Sequence, residues 1–238
     1  VQARYKQSLL GGIWAILQPV ARAIVLTVIF TRFIPVDTGA IPYIVFSYSA
    51  MVPWLLFATA TSDMVDALVT NINLVTKIYF PREILVTAAL LARLVDFAIA
   101  MGLLVVIMLW YKIPIVSPSL IYLPLVLAVQ LAFTLGLGLA GAALNVYYRD
   151  VKHLVAFGIQ LWFYATPIIY PVSKIPEEYV SLYFLNPMAG LIEAYRNILL
   201  EQRAPDANFA IAAAVSIVIL VAGYWFFKKV EPQFADIV

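Results

Sequence analysis

Six apolar stretches, each near or above the length that crosses a lipid bilayer, constrain this chain more than any other feature. They occupy residues 13–33, 41–69, 84–110, 120–144, 154–169 and 209–227. A hydrocarbon core about 30 Å thick takes about 20 helical residues at 1.5 Å rise each. With 64% hydrophobic and 12% charged residues in a chain of 238, there is more apolar surface than a water-soluble core can hide. The stretches do not alternate polar with apolar residues as barrel strands do. The expected fold is therefore all-α and integral to the membrane, with six transmembrane helices and both termini on one side.

Lys and Arg in short segments favour the cytoplasm. Arg4, Lys6, Lys77, Arg82, Arg149, Lys152, Lys228 and Lys229 fall on one side, against Arg32, Lys112, Lys174, Arg196 and Arg203 on the other. The first set is expected to be cytoplasmic, and with it both termini. The long external segment, residues 171–208, is more than a linker. LNPMAGLIEAYRNILLE at 185–201 opens on Asn-Pro and spaces its apolar residues as a helix does. Its expected form is one or two short re-entrant helices dipping into the outer leaflet as a gate or cavity lid. The alternative is an amphipathic helix lying on the surface. On the cytoplasmic side, the second stretch outruns the bilayer, so Asp63 and Asp66 are expected to be wetted, and Pro53 to kink that helix. The opening residues VQARYKQSLLGGIW lack the order of a signal peptide. Without an initiator Met, the numbered chain is expected to omit native residues before Val1.

Several function classes are excluded. There is no cysteine, hence no disulfide framework and no thiolate metal site. The net charge of +2 is scattered, which argues against a nucleic-acid partner. His153, the one histidine, lies by Arg149 and Lys152 in a basic loop with no nucleophile beside it, and reads as a solvated residue. Neither Asp63 with Asp66 nor Glu177 with Glu178 defines an acid–base site, so no catalytic residue is expected. Gly136 to Gly141 fits G-x-G-x-x-G, but it sits inside an apolar helix, where small residues let helices pack closely. No G-x-x-x-x-G-K-[ST] occurs, so any ATP must be used by a partner. Among ionisable residues at membrane depth, Arg93 and Asp96 stand three apart and are expected to pair, while Arg22 has no evident mate.

Aromatic residues reach 14%. Tyr43, Phe46, Trp54 and Phe57 fall on one side of the second stretch, and the fifth adds Phe157, Trp162, Phe163, Tyr164 and, at its outer end, Tyr170. Flat rings with polar edges suit sugar rings sliding past, and they equally suit helix packing or an interfacial belt. Between the second and third stretches, NINLVTKIYFPRE at 71–83 joins a short amphipathic piece to Tyr79, Phe80 and Pro81. A rigid cytoplasmic helix with aromatics is a plausible plug for a groove on another protein.

In this order RYKQSLLG at 4–11, Trp14 with Gln18 and Pro19, NLVTKIYFPRE at 73–83, NVYYRDV at 145–151, PIIYP at 167–171 and NPMAGLIEAYR at 186–196 resemble the type-2 ABC exporter permeases that move polysaccharides. Such proteins export O-antigen, capsule and teichoic acid. The resemblance implies that residues 1–238 form a single ABC-2 type transmembrane domain in the bacterial cytoplasmic (inner) membrane. It implies a homodimer of permeases with two separate ABC ATPase subunits, ATP and Mg being bound by those partners and no cofactor by this chain. The cargo would be a lipid-linked glycan. The coupling helix would hold Asn73, Lys77, Tyr79, Phe80, Pro81, Arg82 and Glu83, and residues 4–10 would end an interfacial helix. On this reading Arg149 and Asp150 brace the cytoplasmic junction, Asn186, Pro187, Glu193 and Arg196 shape the external gate, and the aromatics above line the channel. One alternative is an exporter of a small lipid or drug on the same scaffold. Another is an ion-coupled transporter, which would call for more buried acidic residues.

Overall fold

The computed structural model describes residues 13–77 and 80–234, and among them every regular element is helical. The order is α1 (Ile13–Val28), α2 (Tyr43–Thr70), α3 (Ile72–Lys77), α4 (Glu83–Trp110), α5 (Leu123–Tyr147), α6 (Val151–Tyr164), α7 (Glu177–Tyr183), α8 (Pro187–Leu199) and α9 (Ala207–Val230). A π-turn, Ile29–Phe33, extends α1, and a 3-10 turn, Pro118–Tyr122, leads into α5.

Among the described residues, four helices are long and apolar enough to cross a membrane: α2, α4, α5 and α9. The first stretch is helical across residues 13–33, as α1 and its π-turn, and the stretch at 154–169 is shorter as a helix than the sequence suggests. The stretch at 154–169 becomes a helix of 14 residues, about 21 Å long. It stops at Tyr164 because Pro167 has no N–H to give and disfavours helix at Thr166 before it. In α1 the Thr27 and Thr31 hydroxyls donate to the carbonyls of Ala23 (2.7 Å) and Thr27 (2.6 Å), and the helix widens into its π-turn just beyond Thr27.

α2 is the axle of the chain. Of its most apolar 18 residues 78% are buried within the chain, against 17%, 28% and 22% for α4, α5 and α9. It is also the least apolar of the four, since its surroundings are protein: Ser47, Ser49 and Thr61 are all buried on it. The other three turn Leu, Ile and Val outward, as Leu91, Val106, Leu125 and Val218 show.

The glycines of α5 explain its packing. A Cβ at Gly136 would lie 2.5 Å from the Ile219 carbonyl of α9, and one at Gly223 would lie 2.1 Å from the Gly136 carbonyl, so the two backbones touch. On its other face Gly138 and Gly141 admit Met64 and Val65 of α2. The G-x-G-x-x-G pattern is thus a helix-packing surface, as its apolar context indicated.

Candidate functional site

α1, α2 and α6, with Arg93 of α4 at one end, line an open cavity of about 760 Å³. Trp54, Phe163 and Tyr164 supply its aromatic wall; Thr59, Ser62 and Gln160 supply hydrogen-bonding groups; Val25, Leu26, Met51 and Leu55 supply apolar surface. α2 brings Trp54, Leu55, Thr59 and Ser62 to one face because residues three and four apart align on a helix.

Arg93 and Asp96 pair at 3.0 Å, as their spacing predicts. A second partner was not legible in the spacing: Asp63, thirty residues earlier, takes Arg93 Nε at 2.7 Å and Nη2 at 3.1 Å. Asp63 is therefore not simply wetted; it forms a two-bonded contact with the guanidinium, at a depth where an unpaired charge is costly. Asp66 likewise accepts from Asn145 Nδ2 at 3.3 Å.

The aromatic residues do not share one surface. Trp54 and Tyr164 face the cavity. Phe57 and Trp162 instead form an interior cluster with Phe133: Phe57 stacks on Phe133 at 5.3 Å, and Trp162 meets both edge-on at 5.4 and 5.9 Å. Tyr43 and Phe46 belong to the end of the subunit that carries α8. Tyr43 donates to the Ile169 carbonyl at 2.9 Å, and the Arg196 guanidinium lies 3.6 Å from the Phe46 ring centre. Tyr170 shares a hydrogen bond of 3.0 Å with Tyr183 of α7, and Phe157 is exposed, turned away from the cavity.

Around α8 the polar groups are heavily used. Asn186 caps the helix from just before Pro187, accepting from the Met188 N–H at 3.1 Å and from Trp162 Nε1 at 2.9 Å. Its Nδ2 donates to Thr166 Oγ1 at 3.1 Å, so one side chain joins α8 to the end of α6. Arg196, only 3% exposed, donates to the carbonyls of Pro167 (2.6 Å) and Ile168 (3.1 Å), with Glu193 3.9 Å away. Burial holds the Glu193 carboxyl above its usual range, opposed by the Arg196 charge. Glu193 and Arg196 also line a second cavity of about 350 Å³ with Asp37, Thr38 and Glu201.

At the opposite end, Asn73 is exposed on α3, and Phe80 and Pro81 follow in a bend. Arg82 and Glu83 bond to the foot of α9: the Arg82 N–H donates to Glu231 Oε1 at 3.0 Å, and Lys228 Nζ donates to Glu83 Oε1 at 2.6 Å. Tyr79 and residues 4–10 lie outside the described residues, as do the side chains of Lys77 and Arg22. Arg149 and Asp150 are exposed at the turn from α5 to α6. The contacts across that turn run through buried Asn145, whose Nδ2 donates to the Val65 carbonyl (3.0 Å) and whose Oδ1 accepts from the Lys152 N–H (3.2 Å). Gln130, fully buried, donates to the Pro53 carbonyl (2.7 Å) and accepts from Tyr195 (2.8 Å), tying α5 to α2 and α8. Gln130 in the middle of apolar α5, and Asn145 near its end, were the sequence signal for both links.

A chain of membrane-length helices with an open cavity along its side, ion pairs beside that cavity and further charged contacts at its ends suits a transporter. The profile of the ABC-2 type transporter family matches residues 1–200, and the chain belongs to that family. With its spanning helices, it is a multi-pass membrane protein. Among its relatives is the O-antigen export system permease protein RfbA of Myxococcus xanthus, 34% identical over 99% of this chain and 91% of the relative. The protein of that name in Klebsiella pneumoniae is 29% identical over 100% and 91%. The polysialic acid transport protein KpsM of Escherichia coli is 22% identical over 84% and 78%.

Proposed function

We propose that this chain is the permease subunit of an ATP-driven exporter that moves a lipid-linked polysaccharide, of O-antigen or teichoic-acid type, outward across the bacterial cytoplasmic membrane. Two copies enclose the path, and two separate ATPase subunits bind ATP and Mg and drive it from below. The relatives named for O-antigen export and polysialic acid transport support the cargo class. In this reading residues 1–238 form one domain of six spans with both termini cytoplasmic. α1 with its π-turn and α6 with the stretch that follows it are the other two spans, and α7 and α8 are re-entrant gate helices in the outer leaflet.

The observation that carries the reading is the cavity wall. Trp54, Phe163 and Tyr164 offer ring faces to the apolar faces of sugars, Thr59, Ser62 and Gln160 offer hydrogen bonds to hydroxyls, and the charges that line the cavity, Arg93 and Asp63, are paired with each other. A path that must release each sugar as the next arrives needs many weak contacts of this kind. Asn73, Lys77, Tyr79, Phe80, Pro81, Arg82 and Glu83 meet the ATPase. Arg149 and Asp150 stay at the cytoplasmic junction, and Asn186, Pro187, Glu193 and Arg196 hold the gate. The test is export in cells whose only permease is this chain: Trp54→Ala with Tyr164→Ala is expected to reduce long glycan at the surface about tenfold while permease abundance holds. Unchanged export of glycan, or export of a small lipid alone, would contradict the proposal.

A further inference from the structure

We propose that Lys228 and Glu231, at the foot of α9, are positioning residues for energy coupling: they fasten the end of the ATPase-facing segment to α9, and α9 passes its motion to α8. The proposal rests on the reading of residues 73–83 as the segment the ATPase moves.

Every bond at this foot joins parts of the chain that are remote in sequence or locks the joint itself. Glu231 uses both carboxylate oxygens. Oε1 accepts from the backbone N–H of Arg82 at 3.0 Å, and Oε2 accepts from Lys228 Nζ at 2.9 Å. The same Lys228 Nζ donates to Glu83 Oε1 at 2.6 Å, and Arg82 Nη1 donates to the Glu231 carbonyl. Beneath them the fully buried Phe234 ring packs on Phe227 at 5.6 Å and on Tyr147 of α5 at 6.3 Å. Two of the bonds from Arg82 involve main chain, so the segment cannot slide past α9 without breaking charge-assisted bonds.

From there the path upward is stiff. α9 and α5 touch backbone to backbone at Gly223 and Gly136, so they move as a pair. At the far end of α9 a Cβ on Gly190 of α8 would lie 2.8 Å from Ala212 Cβ and 2.9 Å from the Asn208 carbonyl. α5 holds α8 a second time, through Gln130 and Tyr195. Among the described residues, none of those lining the large cavity comes from α5, α8 or α9. Motion of the segment therefore has a route to α8 through the α5–α9 pair, neither of which contributes a residue to the cavity lining.

The experiment uses the whole exporter in proteoliposomes, with lipid-linked polysaccharide purified from the producing cells, and reads glycan moved per ATP hydrolysed. Lys228→Glu is expected to lower that ratio about fivefold, the low end of coupling between linked sites, while assembled complexes keep hydrolysing ATP; Glu83→Lys, at a residue that also meets the ATPase, is expected to lower the ratio at least as far. Combining the two reversals restores the pair and is expected to bring the ratio within about twofold of the native value. Lys228→Arg, which keeps the charge, is expected to do the same. Glu231→Gln keeps an acceptor for Arg82 and loses the charge facing Lys228; it preserves the shape of the foot and is expected to lower the ratio about threefold. Single reversals and Glu231→Gln that leave the ratio at its native value overturn the proposal, as does a double reversal no better than the worse single. Tyr79→Ala with Phe80→Ala, run alongside, separates the two readings. If that variant is impaired while the reversals are not, only the link through α9 fails. If it moves glycan normally, the coupling segment itself is misassigned and the proposal falls with it.

Discussion

Gln130, Asn145 and Arg196, all buried, each join α5 or α8 to other parts of the chain, which makes them costly to replace. Gln130→Leu strands the Tyr195 hydroxyl and the Pro53 carbonyl, and is expected to destabilise the subunit by about 1 kcal/mol, the usual scale for a polar contact between membrane helices. A drop in the thermal midpoint of the detergent-solubilised protein measures it. Arg196→Met removes a buried cation from two carbonyls and from Glu193, and is expected to cost about 3 kcal/mol or more in the same assay. Gln160, exposed on the cavity wall, gives the contrast: Gln160→Leu leaves the midpoint within scatter and lowers export. A Gln160→Leu protein as destabilised as Gln130→Leu would contradict the assignment of Gln160 to the path.

Between elements, contact is decided by glycine where backbones meet. Gly223→Ala places a methyl group 2.1 Å from the Gly136 carbonyl and must part α5 from α9, at about 2 kcal/mol or more. Gly158→Ala on α6 meets nothing within 4 Å and is expected to be neutral or slightly stabilising, since Ala is the better helix former. Equal midpoints for the two variants would refute backbone contact at that crossing. What the sequence disclosed at this scale was local. Long apolar runs located α2, α4, α5 and α9, because lipid leaves a run no alternative to helix. Asn186 with Pro187 announced the start of α8, and the spacing of Arg93 and Asp96 announced their pairing. Pro167 carried the signal that shortens α6, overlooked because hydropathy alone runs on through it. Contacts set by tertiary packing were hidden: Asp63 on Arg93 and Glu231 on Arg82 have no spacing rule. Nor does amphipathicity tell which aromatic rings face a cavity. Trp54 and Phe57 share one side of α2, yet Trp54 meets the open space and Phe57 the interior, because α5 brings Phe133 against Phe57 alone.

At the scale of the whole molecule, the proposal makes orientation a measurable consequence. The chain has no cysteine, so a single introduced thiol reports its own side of the membrane. A membrane-impermeant maleimide applied to intact spheroplasts is expected to label Ser173→Cys and to reach His153→Cys only after the membrane is opened. Both positions are exposed, so burial does not confound the result. The reverse pattern would invert the topology and move the coupling segment away from the cytoplasm. The central claim, that this chain is a conduit powered by a partner's ATP hydrolysis, is tested most directly by reconstituting it in proteoliposomes with and without the ATPase subunits and following purified lipid-linked polysaccharide. The account predicts outward movement of glycan only when both proteins and ATP are present. Glycan movement or nucleotide turnover by this chain alone, or no movement by the complete complex, would contradict it.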